Sequence, residues 1–265
     1  MTCGSQTLDQ LDTKIRAALR ADSRISHALA YGSRTQRASG ARLDDGFSDL
    51  EYYAYVPKGE LFDARAFLEQ VTPLLLYVVN DFDTPNAVTP ELHRIELHVA
   101  QASQLSDIQD WPRLGPDLEA MSVKDSDGQL TQILREWASG PAWTPDAPQQ
   151  VYDQTLNWLV FASAVWIRGE ALRAAELLTW VRAGLLRLAR FVEEAPHFPA
   201  ATRLAEKTLG EWSPHIWKVQ GEGGQALSWA ATLCRRLAAQ LVLEAREPLL
   251  DALVRRMSAV KQTHV

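Results

Sequence analysis

Asp49 and Glu51 stand two residues apart in a tyrosine-rich stretch, Ser48–Val56, that reads as a β-strand. Successive side chains on a strand alternate, so both carboxylates project from one face. Leu50, Tyr52, Ala54 and Val56 take the other face and are available to bury. Two adjacent carboxylates repel each other and favour a divalent cation between them. Hard oxygen ligands suit Mg²⁺ shared with the phosphates of a substrate. A phosphate-approach feature lies upstream. The apolar run Ile25–Tyr31 ends at Gly32-Ser33, a strand-then-turn signal. Glycine leaves the backbone open to a phosphate, and serine adds a hydroxyl beside exposed N–H groups. A third carboxylate, Glu96, lies in His93–Ala100, where Ile95, Leu97 and Val99 share one face and Arg94, Glu96 and His98 the other. If that strand neighbours the Asp49 strand, Glu96 completes a carboxylate trio, as a metal ligand or as a general base toward a hydroxyl.

The elements that must position these groups follow from periodicity and punctuation. Leu8, Leu11, Ile15 and Leu19 predict a helix over 7–21. Further helices are expected at 61–71 and 129–138, and a buried strand at 74–80. Residues 81–90, with two prolines, read as a loop, and 101–120 as irregular. Asp125-Ser126-Asp127-Gly128 is a turn signal. Three prolines within residues 140–148 mark a linker. Beyond it, long helical patterns cover about 149–167, 170–193, 199–210 and 225–261. The expected order is α+β: a small mixed α/β domain at 1–140, a linker at about 141–148, and an all-α bundle at 149–265.

The combination of strand, Gly32-Ser33, spacer, Asp49-Leu50-Glu51 and the later strand Glu96 resembles the nucleotidyltransferases of the polymerase-beta type. A narrower resemblance is to the lincosamide nucleotidyltransferases. Tyr31-Gly32-Ser33, Ser48-Asp49-Leu50-Glu51-Tyr52-Tyr53 and Asp125-Ser126-Asp127-Gly128-Gln129-Leu130 carry it in the first half. Asn157-Trp158 and the stretch from Ile167-Arg168-Gly169-Glu170 to Leu178 carry it in the second. The resemblance implies an N-terminal nucleotidyltransferase domain with a small mixed sheet, and a C-terminal helical domain. It implies that Gly32, Ser33 and Ser48 contact the nucleotide. Asp49 and Glu51 then bind Mg²⁺, with Glu96 as third carboxylate. It implies in-line transfer of a nucleoside monophosphate from an NTP, ATP being the expected one, to an antibiotic hydroxyl. The spacer 34–48 departs from the family by adding Arg37, Arg42, Asp44 and Asp45. Neither Asp44 nor Asp45 has an alternating carboxylate partner, so Asp49 and Glu51 are preferred.

In the helical half, Arg168 and Arg173 are candidate bidentate donors to a triphosphate. The alternative is a helix C-cap for Arg168 and a solvated face for Arg173. Trp158 and Trp166 are eight apart and share a helix face, either walling an acceptor pocket or packing in a core. The histidines at 27, 197, 215 and 264 have no ligand spacing, and Cys234 reads as a small core residue.

Composition narrows the classes. The chain has 265 residues, 46% hydrophobic and 23% charged, which excludes disordered and fibrous readings. Residues 1–148 carry 13 Lys and Arg against 22 Asp and Glu, and residues 149–265 carry 14 against 11. An acidic half attracts a metal and a mildly basic half a polyanion. The net charge of -6 argues against nucleic-acid binding. Two cysteines and no apolar run of membrane length predict a cytoplasmic protein. A homodimer fits the apolar helical half. The competing readings are an aminoglycoside acceptor, a protein or RNA acceptor of the toxin–antitoxin type, and a non-catalytic binding scaffold.

Overall fold

The apolar stripe Leu8, Leu11, Ile15 and Leu19 is buried along one side of helix α1 (Cys3–Ala21), as its 3–4 spacing dictates. The computed structural model describes residues 3–38, 41–44, 47–141, 143–220 and 223–261. The chain divides into two units, residues 1–143 and 144–265.

The first unit is built on a six-stranded mixed sheet. Its strands are β1 (His27–Tyr31), β4 (Leu50–Val56), β5 (Leu76–Val79), β6 (Pro85–Val88), β7 (Arg94–Gln101) and β8 (Ser122–Asp125), in the order β5-β6-β7-β4-β1-β8. Strands β4 and β7 run parallel, and every other pair is antiparallel. Strands β2 (Arg37–Ala38) and β3 (Ala41–Arg42) form a separate two-residue ladder in the spacer. One face of the sheet, including Leu50, Tyr52, Ala54, Val56, Ile95 and Leu97, packs on α1 and α2 (Ala64–Val71). The Asp63 side chain starts α2 by accepting from the Ala66 N–H. Leu29 and Tyr55 on the opposite face pack with Leu105 and Ile108 of a 3₁₀ segment, Ala102–Asp110. Helices α3 (Leu118–Met121) and α4 (Gln129–Ser139) complete that core with Met121, Leu130, Leu134 and Trp137.

The second unit is helical, with α5 (Pro148–Ile167), α6 (Ala171–Val192), α7 (Ala205–Thr208), α8 (Trp212–Trp217), α9 (Gly223–Gln240) and α10 (Glu247–Lys261) around one apolar core. The fold class is therefore the one read from the sequence, a mixed α/β unit followed by a helical one.

Several local expectations are corrected. The stretch 74–80 is an edge strand rather than a buried one, with Leu76, Val78 and Val79 exposed. Residues 85–88, read as loop, form β6 between β5 and β7. Pro85 is the first residue of that strand, where a missing N–H is tolerated. Residues 102–110 wind as a 3₁₀ segment where no regular structure was expected. Of 199–210 only 205–208 is α-helical, and Leu204 just before it has φ +55°. The expected single helix 225–261 is two helices, parted around Val242 at φ +52°. Cys234 is buried in the core as expected, and burial pushes its thiol up to about 12. No helix among the described residues is long and apolar enough to cross a membrane.

Candidate cation and nucleotide site

The register of three strands assembles the site. In the parallel β4–β7 pair, Glu51 lies opposite Glu96, and Tyr53 opposite His98. In the antiparallel β1–β4 pair, Tyr31 lies opposite Glu51. The turn after β1 therefore begins beside the Glu51 side chain. Gly32 has φ +80°, and a Cβ there would stand 2.9 Å from Glu51 Oε2. Glycine meets both demands, the left-handed backbone and the close approach. Ser33–Thr35 then makes one 3₁₀ turn, in which the Thr35 N–H and hydroxyl both donate to the Gly32 carbonyl. The Ser33 hydroxyl is buried and has no hydrogen-bond partner among the described residues.

Asp49 sits immediately before β4 and shares the Glu51 face through Arg94. The Arg94 guanidinium donates to Asp49 Oδ2 at 2.8 Å and to Glu96 Oε1. The three carboxylates predicted from the sequence are thus brought together. Arg94, on the same strand face as Glu96, is the cation that ties two of them. Ser48 precedes this group and is half-buried.

The electrostatics follow from crowding. Burial first, then repulsion by Glu96 and Asp49, raises the Glu51 carboxyl to about 7. The Tyr53 phenol, which donates to Glu51 Oε1 at 3.4 Å, is raised by burial and by the Glu51 charge. Burial lowers His98, which favours neutral imidazole. Its Nε2 lies 3.8 Å from Glu51 Oε1 and 3.8 Å from Glu96 Oε2. The donor atoms of Glu51, Glu96 and His98 all fall within 4.8 Å of one another. His98 was legible as a neighbour of Glu96 on the strand face, but only the strand pairing turns it toward Glu51.

Of the spacer acidic residues, Asp44 serves elsewhere. Asp44 pairs with Arg34 at 3.4 Å, and Arg34 also binds Asp9 and Asp12 of α1. Asp45 lies outside the described residues, as do Gly40 and Gly46. His27, given no role in the sequence reading, has its Nε2 2.9 Å from Asp127 Oδ1 and 3.5 Å from Asp125 Oδ1. Asp125 accepts from the Gly128, Leu130 and Thr131 N–H groups and holds the start of α4. This second His–Asp group is a hydrogen-bonded brace between β1 and α4. The Asp125–Gly128 turn signal was its trace in the sequence.

In the helical unit, Arg168 and Arg173 each pair with Glu170, at 3.1 and 3.6 Å, on an exposed turn. Trp158 packs edge-on against Trp180. Trp166 does not wall a pocket with it. Its indole presses on the first turn of α9, so that a Cβ on Gly223 would stand 1.9 Å from Trp166 Nε1. A cavity of about 700 Å³ lies instead beside α9, lined by Trp217, Lys218, Gln220, Gln225, Ser228, Trp229 and Thr232. No carboxylate lines it among the described residues.

No family model matches the sequence, and no curated protein matches it. Among solved structures, an aminoglycoside 6-adenyltransferase from Bacillus subtilis aligns over 95% of this chain and 97% of its own, at 12% identity and a TM-score of 0.37. A nucleotidyltransferase-like protein from Exiguobacterium sibiricum 255-15 aligns over 96% of this chain and 89% of its own, at 14% identity and a TM-score of 0.36.

Proposed function

We propose that the chain transfers a nucleoside monophosphate from an NTP to a hydroxyl of a small molecule. The observation that carries the reading is the cross-strand pairing of Glu51 with Glu96, with Asp49 tied beside them and the Gly32 turn adjoining Glu51. Folding alone does not ask for converging carboxylates, since each disfavours the ionised form of the next.

The donor set fits a divalent cation. The Glu51 carboxyl is held high by burial and then by its acidic neighbours, and a buried imidazole nitrogen without a hydrogen-bond partner among the described residues faces both glutamates. Asp49, Glu51 and Glu96 would hold the ion, Mg²⁺ in the first instance. Bound there with a nucleotide, such an ion supplies neutralisation of phosphate charge and alignment of attacking and leaving oxygens. The protein's own groups do the rest. The Gly32 backbone and the Ser33 hydroxyl receive the phosphates, with Ser48 close in sequence to Asp49. Glu96 accepts the proton of the acceptor hydroxyl at a carboxylate oxygen. That hydroxyl oxygen forms a bond to the α-phosphorus, and the bond to pyrophosphate breaks. Positioning and electrostatics supply the rate, with no covalent enzyme intermediate.

The acceptor we favour is a lincosamide-type antibiotic, which carries one amine and an apolar tail. The tryptophan-lined cavity supports this reading. Among the described residues it bears Lys218 and two tryptophans, which suit an apolar tail better than a polycationic aminoglycoside, the second reading. ATP is the expected nucleotide.

The test is an incubation of the protein with a divalent cation, each common NTP, and a panel of lincosamides and aminoglycosides. Mass spectrometry should find one acceptor heavier by a nucleoside monophosphate, and the gain should vanish in Asp49→Asn. Absence of any gain together with absence of NTP binding overturns the transferase reading.

A further inference from the structure

The His98 ring is fixed by packing. It stacks on Tyr53, its partner across the β4–β7 pair, at 4.1 Å between centroids and 2° between planes. Tyr53 is in turn wedged against Trp111 at 4.4 Å. This stack leaves Nε2 buried and without a hydrogen-bond partner among the described residues. A buried nitrogen in that condition is costly unless something else satisfies it. What faces it is one oxygen from each glutamate, both at 3.8 Å. That distance is too long for a hydrogen bond. It suits donors that share one ion. With metal–donor bonds near 2.1 Å, two donors stand about 3.0 Å apart at a right angle and about 4.2 Å apart when opposite.

The two oxygens of Glu96 divide the work. Oε1 receives Arg94, while Oε2 is the atom nearest His98. Arg94 also takes up Asp49. The position common to Glu51 Oε1, Glu96 Oε2 and His98 Nε2 is therefore separate from the Arg94 contacts, and has two oxygen donors and one nitrogen.

We propose that His98 is a protein ligand of the site's cation alongside Glu51 and Glu96, and that its imidazole turns the site's preference toward first-row transition cations over Mg²⁺. The proposal rests on the reading of Glu51 and Glu96 as cation-holding groups. The chemistry is that of the donor set. Imidazole nitrogen binds borderline cations such as Co²⁺ and Zn²⁺ well, and adds little for Mg²⁺, which keeps oxygen ligands and water.

Oxygen-only sites also bind Co²⁺ more tightly than Mg²⁺, so the quantity that decides is the change when the nitrogen is removed. The metal-free protein, without nucleotide, is titrated with Co²⁺ and with Mg²⁺ in the wild type, His98→Gln and His98→Ala. Calorimetry gives affinities, and the visible Co²⁺ spectrum reports the donor set. Circular dichroism checks folding, and glutamine retains much of the ring's bulk if alanine does not fold. The expected result is a loss of at least about tenfold in Co²⁺ affinity in His98→Gln, with Mg²⁺ affinity changed less than about threefold. Pulsed electron paramagnetic resonance on the Mn²⁺-loaded wild type should detect coupling to a ring nitrogen, lost in both variants. A wild type that binds cations without nitrogen coupling, or variants that lose both cations equally, overturns the assignment of His98 and leaves the transferase reading standing. A wild type that binds no cation, while Glu51→Gln behaves identically, removes both.

Discussion

Buried against its own strand and facing Glu96 and Asp49, the Glu51 carboxyl stays protonated until about pH 7. The sign of the consequence is opposite to that of a salt-bridged carboxylate. A folded-state value raised above the ordinary 4.5 gives stability that is fully present below pH 4.5 and lost as pH rises through 7. Without added cation, Glu51→Gln should therefore melt several degrees above the wild type at pH 8 and close to it at pH 4.5. Cation uptake must expel that proton. Affinity should rise with pH up to about 7 and then level off, as calorimetry in buffers of different ionisation enthalpy would detect. Gly32 is the second residue under constraint. Gly32→Ala puts a Cβ 2.9 Å from Glu51 Oε2 at φ +80°. We expect a loss of about 1 kcal/mol in stability by denaturant titration, and a larger proportional loss in cation affinity, because the carboxylate must move. Residue type and alternation put Asp49 and Glu51 on one strand face, and the β4–β7 pairing sets Glu96 opposite Glu51. His98 and Arg94 were not assigned roles, since their contacts with Glu51 and Asp49 appear only when β4 and β7 pair.

The elements repeat that lesson. Strands with strict alternation or a glycine stop, such as β1, β4 and β7, were read close to their true limits because local chemistry and tertiary position agree. Strand β6 was missed because Pro85 and Pro90 outweighed its short apolar core, and only pairing with β5 and β7 makes it a strand. The break between α9 and α10 was missed for a related reason. Leu241, Val242 and Leu243 sustain the helical pattern, while Val242 at φ +52° ends the helix. Helix contact also explains a glycine that propensity would remove. Gly184 in α6 lies against Thr155 of α5, so that a Cβ would stand 2.0 Å from the Thr155 hydroxyl. Gly184→Ala should gain about 1 kcal/mol in helix propensity and lose about 1–3 kcal/mol to overpacking. A net drop in the melting temperature is expected by circular dichroism.

At the scale of the molecule, two units with separate cores lie on either side of a proline-rich segment, residues 140–148. Proline spacing and the change from mixed to helical patterning were the sequence signals for a division at about 141–148, and the contact division of the structure falls at 143/144. The cavity at α9 was not readable in the same way, because it depends on side chains gathered from separate turns, Trp217 of α8 and Trp229 of α9 among them. The central claim is that the carboxylate group on β4 and β7 exists to hold a cation with a nucleotide. It is tested most directly by isothermal titration of ATP into the wild type and Glu51→Gln, each with and without a divalent cation. The account predicts cation-dependent ATP binding in the wild type and at least about a tenfold loss in Glu51→Gln, which removes one charged ligand. ATP binding that is indifferent to the cation, or equal in the two proteins, would contradict it.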